Sequence, residues 1–387
     1  MSPARADRPD QRAAGATRVN VAVLGGGHGG YATAADLALA GHRVRLWRRA
    51  ADELSPLGGH ATITLTAEGR QGAAQLDRAT GRVDEALEGA EIVIVALPAT
   101  THEALAAELA TRLREDQIVL LTPGTLGAYV LAREIARAHG RLPYALAETG
   151  TLPYLARKTG RATVAAPVRA TNLPTGVFPA SRSKTVLDRL RVLFPAIRPC
   201  VDVVDAALTN VGPVIHPALV LLNAGPIDGG RFDVHAAGTT PSVRRLIDAV
   251  DRERVESRKG WGYPAPHFEM ATHYDESRAA EGLYGAGARA KLVASGLWNE
   301  VVTFEHRYVS EDVALGLPFL ESAARTVSVA TPGTSGLVHV FSALLGRDLS
   351  GRGRALEHHG LGDFAVREIR AVLHEGWEST IWPRVLK

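Results

Sequence analysis

In the stretch N-V-G-P-V-I-H-P-A-L-V-L-L-N-A-G, residues 210–225, His216 lies between Pro213 and Pro217 in an otherwise almost wholly apolar run. Two readings are open. The ring is a hydrogen-bonded core histidine, or it carries protons in a site kept dry, since imidazole titrates near neutrality. A second stretch bears chemistry of another kind. In R-V-N-V-A-V-L-G-G-G-H-G-G-Y-A-T-A-A-D-L-A-L-A-G-H-R-V-R-L-W-R-R (18–49), Gly25, Gly27 and Gly30 fit G-x-G-x-x-G, with His28 and Gly29 inside the loop. Gly25 permits a tight turn, Gly27 lets the backbone approach a pyrophosphate, and Gly30 lets helix and strand touch. The helix that follows offers its N–H groups and positive dipole end to phosphates.

Those glycines work only between the right elements. V-N-V-A-V-L suits a buried parallel strand, the alanine-rich run from Tyr31 to Ala40 suits a closely packed helix, and R-V-R-L-W is a second strand. The motif in that setting reads as a dinucleotide site. At the end of the second strand, an acid would bind the ribose hydroxyls of NAD, whereas arginine accommodates the 2′-phosphate of NADP. The chain has Arg48 and Arg49 there, with the first acid at Asp52, so NADP is favoured over NAD. The alternation continues through E-I-V-I-V-A-L-P-A, where Pro98 stops the strand and is assigned to the cofactor site. It then runs through Q-I-V-L-L-T-P-G and their helices, and later segments extend the sheet or its edge. The fold class expected is α/β: an N-terminal Rossmann doubly wound parallel sheet over 18–204, then an all-helical substrate and catalytic domain over 205–387. Residues 1–17 read as a disordered leader.

Composition narrows the function. The chain has 387 residues, 46% of them hydrophobic, enough for two cores. No apolar run reaches the roughly 18 residues of a membrane span, and no secretory h-region begins the chain. The 44 basic and 41 acidic residues are interspersed without a basic, aromatic-laced stripe, so neither nucleic acid nor membrane is expected as a partner. Cys200 is the only cysteine, which precludes an intrachain disulfide and fits the cytoplasm. The His and acidic residues form no ligand-spaced cluster, so no metal is expected. A homodimer is the assembly left open.

Taken in order, G-G-G-H-G-G, A-L-P-A-T-T-H-E-A-L-A-A-E-L, V-L-L-T-P-G-T-L-G, A-E-T-G-T-L-P-Y, G-V-F-P-A, the His216 stretch, T-P-S-V-R-R-L-I-D-A-V-D-R-E-R and H-R-Y-V-S-E-D-V-A-L-G-L-P-F-L resemble the opine dehydrogenase family of the octopine/nopaline type. The resemblance runs over essentially the whole chain after the leader. One departure is His28, where that family's loop commonly carries asparagine. The resemblance implies NAD(P)H-dependent reductive condensation of a 2-oxo acid with the amine of an amino acid. It also implies a catalytic histidine, an arginine and an aspartate that land on His216, Arg307 and Asp312. The chemistry wants these types: a proton relay, a fork of donors for the oxo acid's carboxylate, and a carboxylate to orient the imidazole. Five residues along an α-helix rotate by about 140°, so Arg307 and Asp312 are not expected to share a face. With Ser310 as N-cap, Arg307 falls in the approach to a helix and Asp312 in its first turn. Asn223, Thr240 and Trp261 are candidate substrate contacts, with turn or packing roles as the competing reading. Two other functions share the two-domain plan. A ketopantoate-reductase or glycerol-phosphate-dehydrogenase type uses a lysine donor early in the helical domain, yet no lysine occurs between 200 and 258. A non-catalytic NADP-sensing protein has no use for His216 and Arg307.

Overall fold

The computed structural model describes residues 17–57, 61–230, 232–298 and 301–387; the expected leader lies outside them apart from Thr17. Its strands are β1 (Asn20–Leu24), β2 (Arg43–Trp47), β3 (Thr62–Ala67), β4 (Arg70–Gln75), β5 (Arg78–Thr80), β6 (Ile92–Val95), β7 (Ile118–Leu121), β8 (Ala145–Thr149), β9 (Tyr154–Lys158), β10 (Thr163–Arg169), β11 (Leu173–Phe178) and β12 (Ile197–Pro199). Eight form one sheet in the order β12-β11-β8-β7-β6-β1-β2-β5. Every neighbouring pair is parallel except β8 and β11. The strands β6 (I-V-I-V) and β7 (I-V-L-L) are buried at every position, as a sheet covered on both faces requires. The chain reverses direction across the sheet between β1 and β6, and the crevice above that point is where such folds bind ligands.

Contrary to the expectation that the later segments extend the main sheet or its edge, strands β9 and β10 leave it. They join β3 and β4 in a second, four-stranded sheet of order β4-β3-β10-β9. The β3–β4 hairpin turns at Gly69, where φ is +75°. It covers helix α1 (His28–Leu39) and is fastened by Asp36, whose nearly buried carboxylate takes hydrogen bonds from Arg70, Arg169 and the Tyr154 hydroxyl. Those donors hold the carboxyl below its usual pKa although burial opposes them.

From Val203 onward the described residues form helices and turns only. The most apolar stretch, Val203–Leu222, is long and apolar enough by composition to cross a membrane, but 78% of its window is buried in the protein. It is two helices, Val203–Ala207 and Gly212–Leu222, and they build the core. That core is continuous with one face of the main sheet. Leu121, Leu126 and Phe178 belong to the same buried cluster as Val214, Phe319 and Trp382, while α1 and the second sheet enclose a separate core on the other face.

Several titratable groups sit in these cores, and burial moves them in opposite senses. It drives His102 and His359 down to about 3, while Glu148 rises to about 7 and Asp202 to about 6. The unfolded chain takes up protons on both histidines below about pH 6.5, which the folded protein refuses, so their contribution to stability is lost as pH falls. The two carboxyls act oppositely, gaining stability as pH falls from about 7 to about 4. Below about pH 4 the gain from these two carboxyls is complete, while the histidine loss continues beside that of low-pKa carboxylates such as Asp36. His102→Leu should therefore flatten the fall in melting temperature between pH 4 and 3 and change the value at pH 7.5 by only a few degrees. Melts followed by circular dichroism would check this, and identical acid limbs in both proteins would refute it.

Candidate active site

Loops after β1, β6, β7 and β8 meet the helical half around one cavity of about 500 Å³. At one end lies the glycine loop. Gly25 has φ +132°, and a side chain there would strike the Ala96 carbonyl. A side chain at Gly30 would collide with the Gly25 carbonyl, so the turn and the first turn of α1 are in direct backbone contact. Gly27 and Gly29 instead have open space in front of them and line the cavity. Bare backbone at a helix N-terminus facing an open cleft fits a dinucleotide's phosphates. Pro98 lines the same cavity beside Ala96, Leu97 and Ala99.

The remaining cofactor candidates surround this loop. The exposed ring of His28 accepts the Lys158 backbone N–H at 2.9 Å, tying strand β9 to the glycine turn. Arg48 donates to the Gly26 carbonyl at 3.0 Å and pairs with Glu53. Lys158 places its ammonium 3.8 Å from the centre of the Tyr31 ring. Burial, then the neighbouring Arg48, lower its pKa. Arg49 is exposed, and none of His28, Arg48, Arg49 and Lys158 lines the cavity. Arg48 and Lys158 form a cationic corner beside the glycine loop, with Glu53 partly answering them.

At the other end, the helix Gly212–Leu222 (α2) carries His216. Pro213 sits in its first turn, where a missing N–H costs nothing. His216 Nδ1 lies 2.6 Å from Asp312 Oδ2. With the proton on Nδ1 donated to that carboxylate, Nε2 is left for the cavity, which both residues line. The imidazole stacks on the Tyr308 ring at 3.6 Å between centres and 10° between planes, and the Tyr308 hydroxyl is 2.8 Å from His235 Nε2. Gly212 is needed for this arrangement, since a side chain on it would meet Asp312 Oδ1. Asn210 holds the start of α2, accepting the Gly212 N–H at 3.0 Å and donating to Thr125 at 3.0 Å across the cleft.

Asp312 belongs to a π-helix, Tyr308–Gly316, with Arg307 as its N-cap residue. The Leu317 N–H bonds to the Asp312 carbonyl, five residues back. Such winding stacks residues five apart one above the other, whereas the α-helical spacing assumed from sequence sets them about 140° apart. Arg307 and Asp312 consequently share a face and both line the cavity. That corrects the expected geometry.

The three further substrate candidates lie elsewhere because backbone groups occupy their polar atoms. The Asn223 amide donates to the carbonyls of Leu219 and Gly238 at 2.8 and 3.1 Å. Thr240 is the N-cap of the helix Pro241–Gly260, accepting the Val243 N–H. Trp261 is 1% exposed and donates its indole N–H to the Ala323 carbonyl at 2.9 Å. None of the three lines the cavity. Sequence reasoning missed Asn210, Tyr308, His235 and Glu311. Glu311 and Tyr308 lie within the run that supplied Arg307 and Asp312, and Asn210 opens the His216 stretch, so adjacency was an available signal. His235 had none.

Residues 199–345 match the family described as NAD/NADP octopine/nopaline dehydrogenase, alpha-helical domain. Residues 20–128 match the NAD-dependent glycerol-3-phosphate dehydrogenase N-terminus. An opine dehydrogenase of Arthrobacter sp. (strain 1C) is 30% identical over 91% of this chain and 98% of its own length. An octopine dehydrogenase structure with NADH and L-arginine superimposes with a TM-score of 0.67 at 18% identity, covering 92% of this chain and 98% of that one. A yersinopine dehydrogenase bound to NADP+ gives 0.61 at 14% identity, covering 94% and 99%.

The contact at Gly30 yields a direct check. Gly30→Ala puts a methyl into the Gly25 carbonyl, so equilibrium binding of NADH and NADPH, followed by fluorescence, should weaken by at least about tenfold, or about 1.4 kcal/mol. Gly27→Ala, with open space around it, should keep its melting temperature. Unchanged dinucleotide affinity in Gly30→Ala would contradict the packing described.

Proposed function

This chain belongs to the opine dehydrogenase family, and from that premise we propose that His216 carries the protons, Asp312 orients it and Arg307 anchors the oxo acid's carboxylate. The protein is an NAD(P)-dependent oxidoreductase acting on the CH–NH group, joining a 2-oxo acid to the amine of an amino acid. The bound dinucleotide supplies the hydride. Everything else falls to the chain. The amino acid's ammonium must lose a proton before its nitrogen attacks the oxo carbon, and the hydroxyl of the resulting adduct must leave as water. The secondary amine then emerges once the imine carbon has been reduced. His216 Nε2 can accept the first proton and return it at the loss of water, with Asp312 stabilising the imidazolium. The guanidinium of Arg307 forks onto the oxo acid's carboxylate and fixes which face of the carbon is offered. Apolar walls exclude water, which would hydrolyse the imine. The observation that carries this reading is the 2.6 Å His216–Asp312 contact opening into the cavity that the glycine loop also lines.

For the amine's side chain, Phe268, Met270, Leu283, Leu292, Val293 and Trp298 offer apolar surface, beside His273, Tyr274 and Arg289, which also line the cavity. The acids beside them are engaged: Glu269 pairs with Arg278 at 3.1 Å, and Glu276 accepts the Gly287 N–H at 3.0 Å. This supports an amino acid with a neutral, apolar side chain. Arg48 and Lys158 support a preference for NADPH, with Glu53 opposing it. No lysine lines the cavity among the described residues, which speaks against a lysine-donor reductase. We place the enzyme in the cytoplasm, where reduced cofactor is maintained.

Cofactor oxidation should need both substrates, run faster with NADPH than NADH, and run faster with apolar amino acids than with arginine. Absorbance at the reduced cofactor's band, with products identified by mass, reads all three. Rapid reduction of the oxo acid alone to a hydroxy acid would overturn the reaction assignment.

His216→Asn should keep the fold and dinucleotide affinity and lower turnover by ~10²–10⁴-fold. Asp312→Asn should act in the same direction, and the double variant should be less than additive. A residue that merely packs would lower the melting temperature and leave turnover per folded molecule intact.

A further inference from the structure

The peptide group of Ala99, in the turn after β6 that lines the cavity, is gripped at both ends from the helical half. Its N–H donates to Glu311 Oε2 at 3.0 Å, and its carbonyl accepts from Arg354 Nη2 at 2.6 Å. Glu311 lies in the π-helix, next to Asp312. Arg354 is wholly buried, and its own backbone N–H donates to Leu315, a carbonyl of the same π-helix, at 3.3 Å. A side chain on Gly353 would strike the Ala314 carbonyl, so this segment lies directly on the π-helix backbone. Its second guanidinium nitrogen faces Glu103 at 3.0 Å, on the far side of the turn. Both grips are therefore parts of one rigid piece, the piece that carries Arg307 and Asp312.

We propose that Glu311, with Arg354 behind it, is a positioning residue that locks the turn 97–101 to the π-helix. The lock sets the separation between the cofactor platform and the carboxylate anchor and His–Asp pair. The proposal rests on the function assigned above. Hydride transfer tolerates little error in that separation, since a displacement of about 1 Å can cost about 10²-fold in rate. A carboxylate on a backbone N–H is a strong, directional tether, roughly twice a neutral hydrogen bond. Glu311 faces Arg307 as well as Asp312 and His216, so its charge and its hydrogen bond must be tested apart.

Glu311→Gln keeps an acceptor oxygen and removes the charge, while Glu311→Ala removes both. Arg354, being wholly buried, is left in place. In Glu311→Ala we expect the amides of residues 97 and 99–101 to exchange with deuterium at least about tenfold faster, with NADPH affinity and melting temperature nearly unchanged. Turnover should fall by about 10–100-fold, and the isotope effect with 4-deuterated NADPH should rise as the hydride step becomes limiting. Glu311→Gln should recover most of both properties. Unchanged exchange in the turn overturns the proposal without reference to turnover, so it stays distinct from a failure of the wild-type reaction. Equal damage in Glu311→Gln and Glu311→Ala also overturns it, as does a fall in activity that tracks melting temperature with the isotope effect constant.

Discussion

Asp312 and His216 meet at 2.6 Å although 96 residues separate them, and much of the helical half arranges that meeting. The carboxylate fits because Gly212 has no side chain, and the π-helix fits against α2 because Gly316 has none where Pro213 presses on it. The start of α2 is held from outside as well. Arg258 pairs with Asp205 at 2.6 Å, Arg254 donates to the Leu208 carbonyl, and Tyr263 donates to Asp202. These groups are nearly dry. Breaking one partner of such a buried pair typically costs about 3–5 kcal/mol, whereas replacing the whole pair with apolar residues often costs little. Their evident product is a fixed entry to the helix that carries the imidazole.

How much of this could be read in the letters differs by element. The glycine loop was legible because each of its constraints is local: a tight turn, a backbone contact and an open approach fall within six residues. The parallel strands were legible from continuous apolar runs. The second sheet was not. Its β3 strand, T-I-T-L-T-A, alternates as a half-buried strand does, but with threonine between only two large apolar residues. Strand β10 pairs across nearly a hundred residues with β3, while β9 joins only through β10, and nothing local specifies the distant partner.

The site itself was legible by type and not by geometry. A histidine in an apolar helix admits a structural and a chemical reading, and only the 96-residue contact separates them. Arg307 and Asp312 were read with the α-helical period, which put them on different faces. The backbone winds more loosely there, so the same spacing brings them together. Asn223, Thr240 and Trp261 had suitable chemistry and nearby positions, yet each spends its polar atoms on backbone groups. Polar side chains near a site are often part of its scaffolding, and sequence alone does not report where their hydrogen bonds go.

The strands give way to helices near residue 203, but the packed interior does not divide there. Leu121 and Phe178 from the sheet share one cluster with Val214, Phe319 and Trp382 from the helices, and the cluster continues to Val385 near the end of the chain. A chimera that joins this N-terminal half to a relative's helical half would be cut through continuous interior rather than at a seam. The sheet-bearing half and the helical half can therefore diversify only together, with residues such as Phe178 and Trp382 matched on either side. On the proposed reading of the cavity, an exchange between relatives should keep the interior intact by replacing only the cavity-facing segment 268–298, and not a whole domain.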